Sequence, residues 1–285
     1  MIENFKENII TKDIFDEMVR KEPYYENRWE YFNEIIELLN QFDDIHSVLE
    51  IGPYKLPFVK HSDIIDIYGS YLKDVPFETG EFIKYDCSKL PLPFEDKSYD
   101  LVIACQVIEH FGYSGQQIEF FKDLERICDK AIISLPFLWH KPALRGHHMI
   151  DRKVINTWTG KRKPSYELIS GNKNHLRILQ LYEFDKEIEG NRDYIIKAKK
   201  EDAKIISKRV RFDIDKLISE NQKLKADKDK LKEDKNKLKD DNEKLKTKNL
   251  KLKKEKASIN NELNALKNTT SWKMTKPLRV LKSKF

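Results

Sequence analysis

The sequence predicts an α/β protein: a doubly wound, mostly parallel sheet with a closing antiparallel hairpin, followed by a long α-helical coiled coil. Three observations predict this fold. Short apolar segments alternate with amphipathic helical segments between residues 45 and 136, which is typical of parallel sheets covered by helices. A hairpin pattern follows, with Gly171-Asn172 in its turn. Beyond residue 213, leucine recurs at every seventh position in a stretch without glycine or proline.

The elements follow in order along the chain. Two helices are expected over about residues 3–20 and 24–42, and the second repeats apolar residues at three- and four-residue steps. Gly52 and Asp66 are 14 positions apart, so the helix between the first two strands should be nearly absent. An amphipathic helix in GQQIEFFKDLERICD precedes the fifth strand. The five strands are expected in SVLEIG, SDIIDIY, EFIKYD, YDLVIACQ and AIISLPF, and the closing hairpin in SYELISGNKNHLRILQLYEF.

These patterns divide the chain into four segments. We predict N-terminal helices that cover a ligand site over residues 1–44 and an α/β domain over 45–200. A coiled coil over 201–268 and a basic amphipathic tail over 269–285 follow.

The charge distribution restricts the function. The segment from Asp213 to the end contains 22 Lys and Arg and 12 Asp and Glu, which gives it a net charge of +10. The whole chain carries +6. The first 212 residues therefore carry −4, and a domain of that charge lacks the cationic surface that binds nucleic acid. No nucleic-acid partner is expected.

The compartment follows from cysteine usage and apolar segments. Three widely spaced cysteines, Cys87, Cys105 and Cys128, predict neither a disulfide framework nor a zinc site. The N-terminus contains acidic residues throughout, unlike a signal peptide, and no segment approaches the ~20 apolar residues of a membrane span. We expect a cytoplasmic protein, either free or attached to the inner face of the membrane.

The strongest motif lies in the first half of the chain. Val48 to Gly52 form an apolar strand that ends in a glycine, and Asp66 and Asp86 end the next two strands. The string DCSKLPLPFEDKSYDLVIACQVIEH follows. Over residues 48–136 the chain resembles class I S-adenosylmethionine-dependent methyltransferases, whose sheet is Rossmann-like. The matching residues are Asp86, Leu90, Pro91, Phe94, Asp96, Ser98, Asp100, Val102, Val107, Glu109 and His110.

The resemblance implies S-adenosylmethionine as cofactor and assigns roles to particular residues. Glu50, with Gly52, Pro53 and Tyr54, would lie beside its methionine part, and Asp66 would accept hydrogen bonds from the ribose. Asp86 and Cys87 would hold the adenine, and Gln106 and Val107 would lie under the sulfonium. Arg28, from the second predicted helix, could hold the carboxylate or be an ordinary surface arginine. The chain departs from the family in having only one glycine in the first loop, and Asp63 could replace Asp66.

Residues after the fourth and fifth strands are candidates for acting on the methyl acceptor, because ligands bind at the carboxyl ends of parallel strands. His110 is one candidate base. His148 is another, with Asp151 orienting its ring; alternatively, His148 caps or packs the helix that begins at Asp151. No third ligand accompanies His147 and His148, so no metal is expected. The sequence Ala104 to Val107 stands where amino-group methyltransferases have an NPPY-like motif, which disfavours bases as substrates.

The heptad repeat predicts a partner. Leu217 to Leu266 mark eight core positions spaced by seven, and the flanking charges favour a parallel homodimer through residues 214–267; a solvated single helix is the alternative.

Residues 269–285 are basic and amphipathic, which suits an anionic membrane surface or a protein partner. They contain SWKMTKPLR, similar to a segment of surface-polysaccharide biosynthesis enzymes. We therefore expect methylation of a hydroxyl on a cell-surface glycan or related small molecule. A degenerate, non-catalytic scaffold or a protein or RNA methyltransferase is the alternative.

Overall fold

The computed structural model describes residues 1–111, 115–139, 149–171, 175–186 and 191–274. The chain forms two compact units, Met1–Val210 and Arg211–Phe285. No helix in the described ranges is both long enough and apolar enough to cross a membrane.

The first unit is built on a seven-stranded sheet with the order β3-β2-β1-β4-β5-β7-β6. The first five strands are parallel, and β7 pairs antiparallel with both β5 and β6. This confirms the predicted doubly wound sheet with a closing hairpin. The strands are β1 Val48–Ile51, β2 Asp63–Asp66, β3 Phe82–Lys84, β4 Tyr99–Cys105, β5 Cys128–Pro136, β6 Tyr166–Ser170 and β7 Arg177–Glu183.

Helices cover both faces of the sheet because its central strands are apolar on both sides. Along β4, Leu101 and Ile103 pack with the N-terminal helices, while Val102 and Ala104 pack with α4 and its neighbours. The helices are α1 Phe5–Asn8, α2 Lys12–Lys21, α3 Trp29–Leu39, α4 Gln116–Ile127, α5 Arg152–Trp158, α6 Asn191–Asn268 and α7 Thr270–Met274.

The predicted first helix is wrong in one respect, since it is interrupted between Asn8 and Lys12. Ile9 forms an isolated antiparallel bridge with Val59. The backbone N–H of Ile10 donates to the carbonyl of Phe58 at 3.0 Å, and that of Lys60 donates to Asn8 at 2.7 Å. These bonds replace helical ones, so a contact distant in sequence decides the local conformation. The segment therefore attaches the N-terminus to the connection between β1 and β2.

That connection contains no helix, as the short spacing predicted. Residues 52–62 instead fold around the buried carboxylate of Glu50, which is 1% exposed. It accepts hydrogen bonds from the backbone N–H groups of Phe58 and Val59, both at 2.8 Å, and from the hydroxyl of Ser62 at 3.0 Å. The Glu50 carboxylate thus accepts hydrogen bonds from backbone N–H groups of this connection, which in a helix would bond to backbone carbonyls.

The boundary between the units lies ten residues later than the predicted start of the coiled coil at residue 201. Ala198, Asp202 and Arg209 on α6 are buried. Asp202 forms an ion pair with Arg152 and accepts a hydrogen bond from the Arg152 backbone N–H at 3.1 Å. Arg209 donates to the carbonyl of Leu138. The beginning of α6 is therefore part of the first unit.

Candidate active site

A cavity of about 750 Å³ opens at the carboxyl ends of β1, β2 and β4, the edge where ligands bind in doubly wound sheets. Its volume is typical of small-molecule sites. Nine predicted cofactor residues line it, together with the candidate base His110. The nine are Arg28, Gly52, Pro53, Tyr54, Asp66, Asp86, Cys87, Gln106 and Val107.

The loop after β1 contains a single glycine, at the position where the backbone turns under the cavity. Gly52 has a φ of +58°, a conformation that glycine adopts without steric cost. A Cβ at this position would lie 3.3 Å from Cγ2 of Val107, which also lines the cavity. Tyr54 and Gln106, with φ of +56° and +61°, adopt the same left-handed conformation despite their side chains. Such strain is concentrated at functional sites, and here both strained residues line one cavity.

Asp66 ends β2 with unused hydrogen-bonding capacity. Its Oδ2 accepts a hydrogen bond from the hydroxyl of Tyr71 at 2.8 Å, and its Oδ1 accepts one from the backbone N–H of Tyr68 at 3.2 Å. A carboxylate has about four lone-pair positions, so about two remain for a ligand. Two adjacent hydroxyls, such as those of a ribose, fit this arrangement.

Asp63, the alternative to Asp66, lies at the opposite end of β2. Its Oδ1 accepts the backbone N–H of Glu81 at 2.8 Å, and its Oδ2 accepts the hydroxyl of Tyr99 at 3.0 Å. It is not among the residues that line the cavity. Asp63 therefore cannot replace Asp66 at this site.

Asp86 follows β3 and is held in a local turn. Its Oδ1 accepts hydrogen bonds from the hydroxyl of Ser88 at 2.7 Å and from its backbone N–H at 3.1 Å. The hydroxyl, more than the N–H, lowers the pKa of Asp86. The neighbouring Cys87 is 7% exposed, and burial raises the pKa of its thiol to about 12. Asp86 therefore provides an ionised hydrogen-bond acceptor, and the neighbouring Cys87 thiol is uncharged. This combination suits an adenine edge.

Glu50 differs from its expected role, because it is not among the cavity-lining residues. Its carboxylate faces the loop donors described above. Burial raises its pKa to about 7, although its three hydrogen bonds oppose this shift. Glu50 shapes the loop that carries Gly52, and the structure provides no direct contact between its carboxylate and the cavity.

The N-terminal segment forms one wall of the cavity through Tyr24, Tyr25, Arg28, Tyr31 and Phe32. The ring of Tyr24 packs edge-on against that of Tyr54, with centroids 5.3 Å apart. Nearby, Lys55 and Glu22 form a half-buried ion pair of 2.5 Å. The segment before β1 is thereby fixed over the site. The sequence predicted that the N-terminal helices cover the site, with Tyr25 and Arg28 in the second of them, but gave Tyr24 and Tyr31 no role.

Arg28 lies in this wall. Its guanidinium stacks over the ring of Tyr24 at 3.9 Å, and its Nε donates to the Tyr24 carbonyl at 2.7 Å. These contacts orient a cation toward the cavity. Holding the cofactor carboxylate stays a prediction for this residue.

The predicted bases are placed differently from one another. His110 lines the cavity. Asp151 is the N-cap of α5, where its Oδ1 accepts the backbone N–H of Val154 at 2.8 Å. His148 lies outside the described residues, so its pairing with Asp151 stays a prediction. In the described ranges, no group of three or more His, Cys, Asp or Glu is arranged to hold a metal ion.

Glu109 is a buried carboxyl to which sequence reasoning gave no role. It is 5% exposed, and its Oε2 has no hydrogen-bond partner. Burial raises its pKa to about 8, and the charge of Arg177 lowers the pKa by a smaller amount. The available signal was an acidic residue within the apolar run VIEHF.

Glu109→Gln is expected to increase stability at alkaline pH. The folded protein keeps the Glu109 proton up to about pH 8, whereas the unfolded chain releases it near pH 4.3. Glu109 therefore does not lower the free energy of unfolding below about pH 4.3. It lowers that free energy progressively as the pH rises to about 8, because the folded state must keep a proton that the unfolded chain has released. At pH 8.5 the variant should be more stable by an amount on the order of 5 kcal/mol.

Urea unfolding at pH 5 and pH 8.5 measures this difference. The advantage of the variant should be smaller at pH 5. An equal difference at both pH values would contradict the raised pKa.

Comparison with known proteins agrees with this geometry. Residues 64–131, about a quarter of the chain, match the family model described as a methyltransferase domain. The match runs from β2 into β5 and includes Asp66, Asp86 and the segment after β4. No match was found among curated proteins.

Several solved structures are similar. PH0226 protein from Pyrococcus horikoshii OT3 is 19% identical, with a TM-score of 0.45, covering 59% of this chain and 98% of its own. The N-methyltransferase NodS from Bradyrhizobium japonicum WM9 is 12% identical, with a TM-score of 0.45, covering 55% and 97%. Magnesium protoporphyrin IX methyltransferase (ChlM) from Synechocystis PCC 6803 is 12% identical, with a TM-score of 0.41, covering 53% and 80%.

The sheet order and the carboxylates at the ends of β2 and β3 agree with the methyltransferase domain that the family model matches over residues 64–131. Together they support a class I S-adenosylmethionine-dependent methyltransferase, with S-adenosylmethionine as the expected cofactor.

Proposed function

We propose that this methyltransferase acts on a hydroxyl group of a cell-surface glycan or a related small molecule. The observation that carries the proposal is the composition of the cavity wall, which contains six tyrosines. Tyrosine presents an apolar ring and a polar edge, and a sugar likewise has apolar faces and hydroxyl edges. The six are Tyr24, Tyr25, Tyr31, Tyr54, Tyr68 and Tyr85.

The residues that line the cavity would have different roles in the reaction. Asp66 and Asp86 would hold the ribose and adenine, and Arg28 would neutralise the carboxylate. S-adenosylmethionine, when bound, supplies an electrophilic methyl group. For a hydroxyl acceptor, a base must accept its proton, and His110 is the predicted base that lines the cavity. Tyr24, Tyr25 and Tyr31, which come from the N-terminal segment rather than from the strand ends that hold the cofactor, would orient the acceptor and exclude water.

The tail supports the choice of a glycan, because its SWKMTKPLR segment resembles enzymes of surface-polysaccharide synthesis. We propose that residues 269–285 attach the cytoplasmic protein to an anionic membrane surface, where such glycans are assembled. Five cations, Lys273, Lys276, Arg279, Lys282 and Lys284, occur there without an acidic residue.

Co-sedimentation with phosphatidylglycerol vesicles tests the attachment, with phosphatidylcholine vesicles as control. Binding to neither type of vesicle would contradict it and would favour a protein partner.

Methyl-labelled S-adenosylmethionine, added to a lysate of the cells that make the protein, tests the acceptor. The lysate is fractionated into lipid, glycan, protein and RNA. We expect label in glycan or glycan-bearing lipid, dependent on the added protein and absent with Asp66→Ala. Label confined to RNA or protein would overturn the acceptor class. Absence of S-adenosylhomocysteine binding by calorimetry would instead favour a non-catalytic scaffold.

A further inference from the structure

The second unit exposes an apolar stripe along α6. Eight large aliphatic side chains recur at intervals of seven residues, and each is between 52% and 69% exposed. Side chains at this spacing lie along one face of a helix. The stripe consists of Leu217, Leu224, Leu231, Leu238, Leu245, Leu252, Ile259 and Leu266.

We infer that this stripe binds a second copy of the same chain, in a parallel, in-register two-stranded coiled coil. The repeat continues through eight heptads without a shift. A supercoil with the left-handed sense needs such an unbroken seven-residue period, because it keeps the apolar seam facing the partner. The inference concerns only the second unit and does not depend on the methyl acceptor.

Charge complementarity identifies the partner as a copy in parallel orientation. With the stripe at the d positions, the g positions are Glu220, Asp227, Asp234, Asp241, Lys248, Glu255 and Glu262. The facing e positions are Lys225, Lys232, Lys239, Lys246, Lys253, Asn260 and Lys267. A parallel pair therefore has five attractive contacts, one repulsive and one neutral on each side. An antiparallel pair would place acids against acids and lysines against lysines.

The a positions determine the number of strands. Six of the eight are polar, and three of these are Asn221, Asn242 and Asn249. In a parallel in-register pair each asparagine faces its own copy, so the two amides can hydrogen-bond to each other. A slip by one heptad would place Asn242 opposite Asn249 but would leave Asn221 opposite a lysine. Asparagine at this position favours two strands and fixes the register at a cost in stability.

The first test is the mass of the full-length protein by analytical ultracentrifugation at 10 µM. We expect a dimer for the natural sequence. Leu231→Lys with Leu238→Lys should give a monomer, because four charges would enter the seam of the dimer. The matched control, Ala226→Lys with Thr247→Lys, adds the same charge at outward-facing positions and should stay dimeric. A monomeric natural protein, or a trimer or tetramer, would overturn the inference.

The second test determines orientation. In a parallel in-register dimer, Leu224→Cys places two thiols at the same level of the seam, close enough for a disulfide. Mild oxidation should therefore produce a cross-linked dimer. Ala226→Cys, which faces outward, should cross-link far less. The natural protein, in which Cys87 and Cys128 are buried and Cys105 is partly buried, is the background control. A dimer by mass that Leu224→Cys fails to cross-link would overturn the parallel arrangement.

Discussion

Replacing Asp66 with alanine is expected to weaken binding of S-adenosylhomocysteine by about 100-fold or more. The carboxylate has about two unused lone-pair positions at the cavity, and a hydrogen bond to a charged group contributes about 1.5–3 kcal/mol. Loss of two such bonds corresponds to roughly a 100- to 10,000-fold increase in Kd. Isothermal titration calorimetry measures the change directly.

The matched control is Asp63→Ala, which removes the same side chain from the other end of the same strand. Its carboxylate bonds Glu81 and Tyr99 rather than facing the cavity. Affinity should change by less than about threefold, although some stability will be lost with those bonds. Equal losses of affinity in the two variants would mean that folding, rather than ribose recognition, accounts for the effect of Asp66.

Arg152→Ala is expected to cause the largest loss of stability, about 3–5 kcal/mol, because it leaves buried acids without their cation. The Arg152 side chain is 4% exposed and lies between Asp202 and Glu167, with a distance of 2.8 Å from its Nη2 to Oε1 of Glu167. In a unit of this size each kcal/mol corresponds to roughly 2–4 °C in Tm. A decrease of about 10 °C is therefore expected by calorimetry.

Two further variants separate this ion pair from general damage. Arg152→Ala combined with Asp202→Asn should recover part of the loss, since the unpaired charge is removed. Lys186→Ala breaks the exposed Lys186–Glu183 pair and should not change Tm measurably. If Arg152→Ala unfolds at the temperature of the natural protein, the buried ion pairs of Arg152 do not stabilise the first unit.

The strands, the sheet class and the short β1–β2 connection could be predicted because they depend on local pattern. Apolar runs of strand length and the spacing from Gly52 to Asp66 contain that information. The interruption of the first helix at Ile9 could not be predicted from local pattern, because it is caused by a bridge to Val59, fifty residues away. The inclusion of the beginning of α6 in the first unit has a similar basis. Asp202 and Arg209 lie beyond residue 200, where the predicted α/β domain ends, and only their burial against other elements assigns them to the first unit.

The candidate site shows the same division. Residues at strand ends, such as Asp66 and Asp86, could be located from order alone. Glu50 occupies such a position too, but its direction was set by the donors of Phe58, Val59 and Ser62. The sequence predicted that the N-terminal helices cover the site, but the choice of Tyr24 and Tyr31 as lining residues depends on how that segment folds over the sheet, which no short motif encodes.

The missing helix between β1 and β2 has an electrostatic consequence. A helix beginning there would direct the positive end of its dipole at the cofactor, a fixed source of potential for binding anions. In this chain, Arg28 is the one lysine or arginine among the described residues that line the cavity. A guanidinium near the surface is screened by mobile ions. The affinity for the cofactor should therefore decrease as ionic strength rises, and the decrease should become smaller when Arg28 is replaced by glutamine.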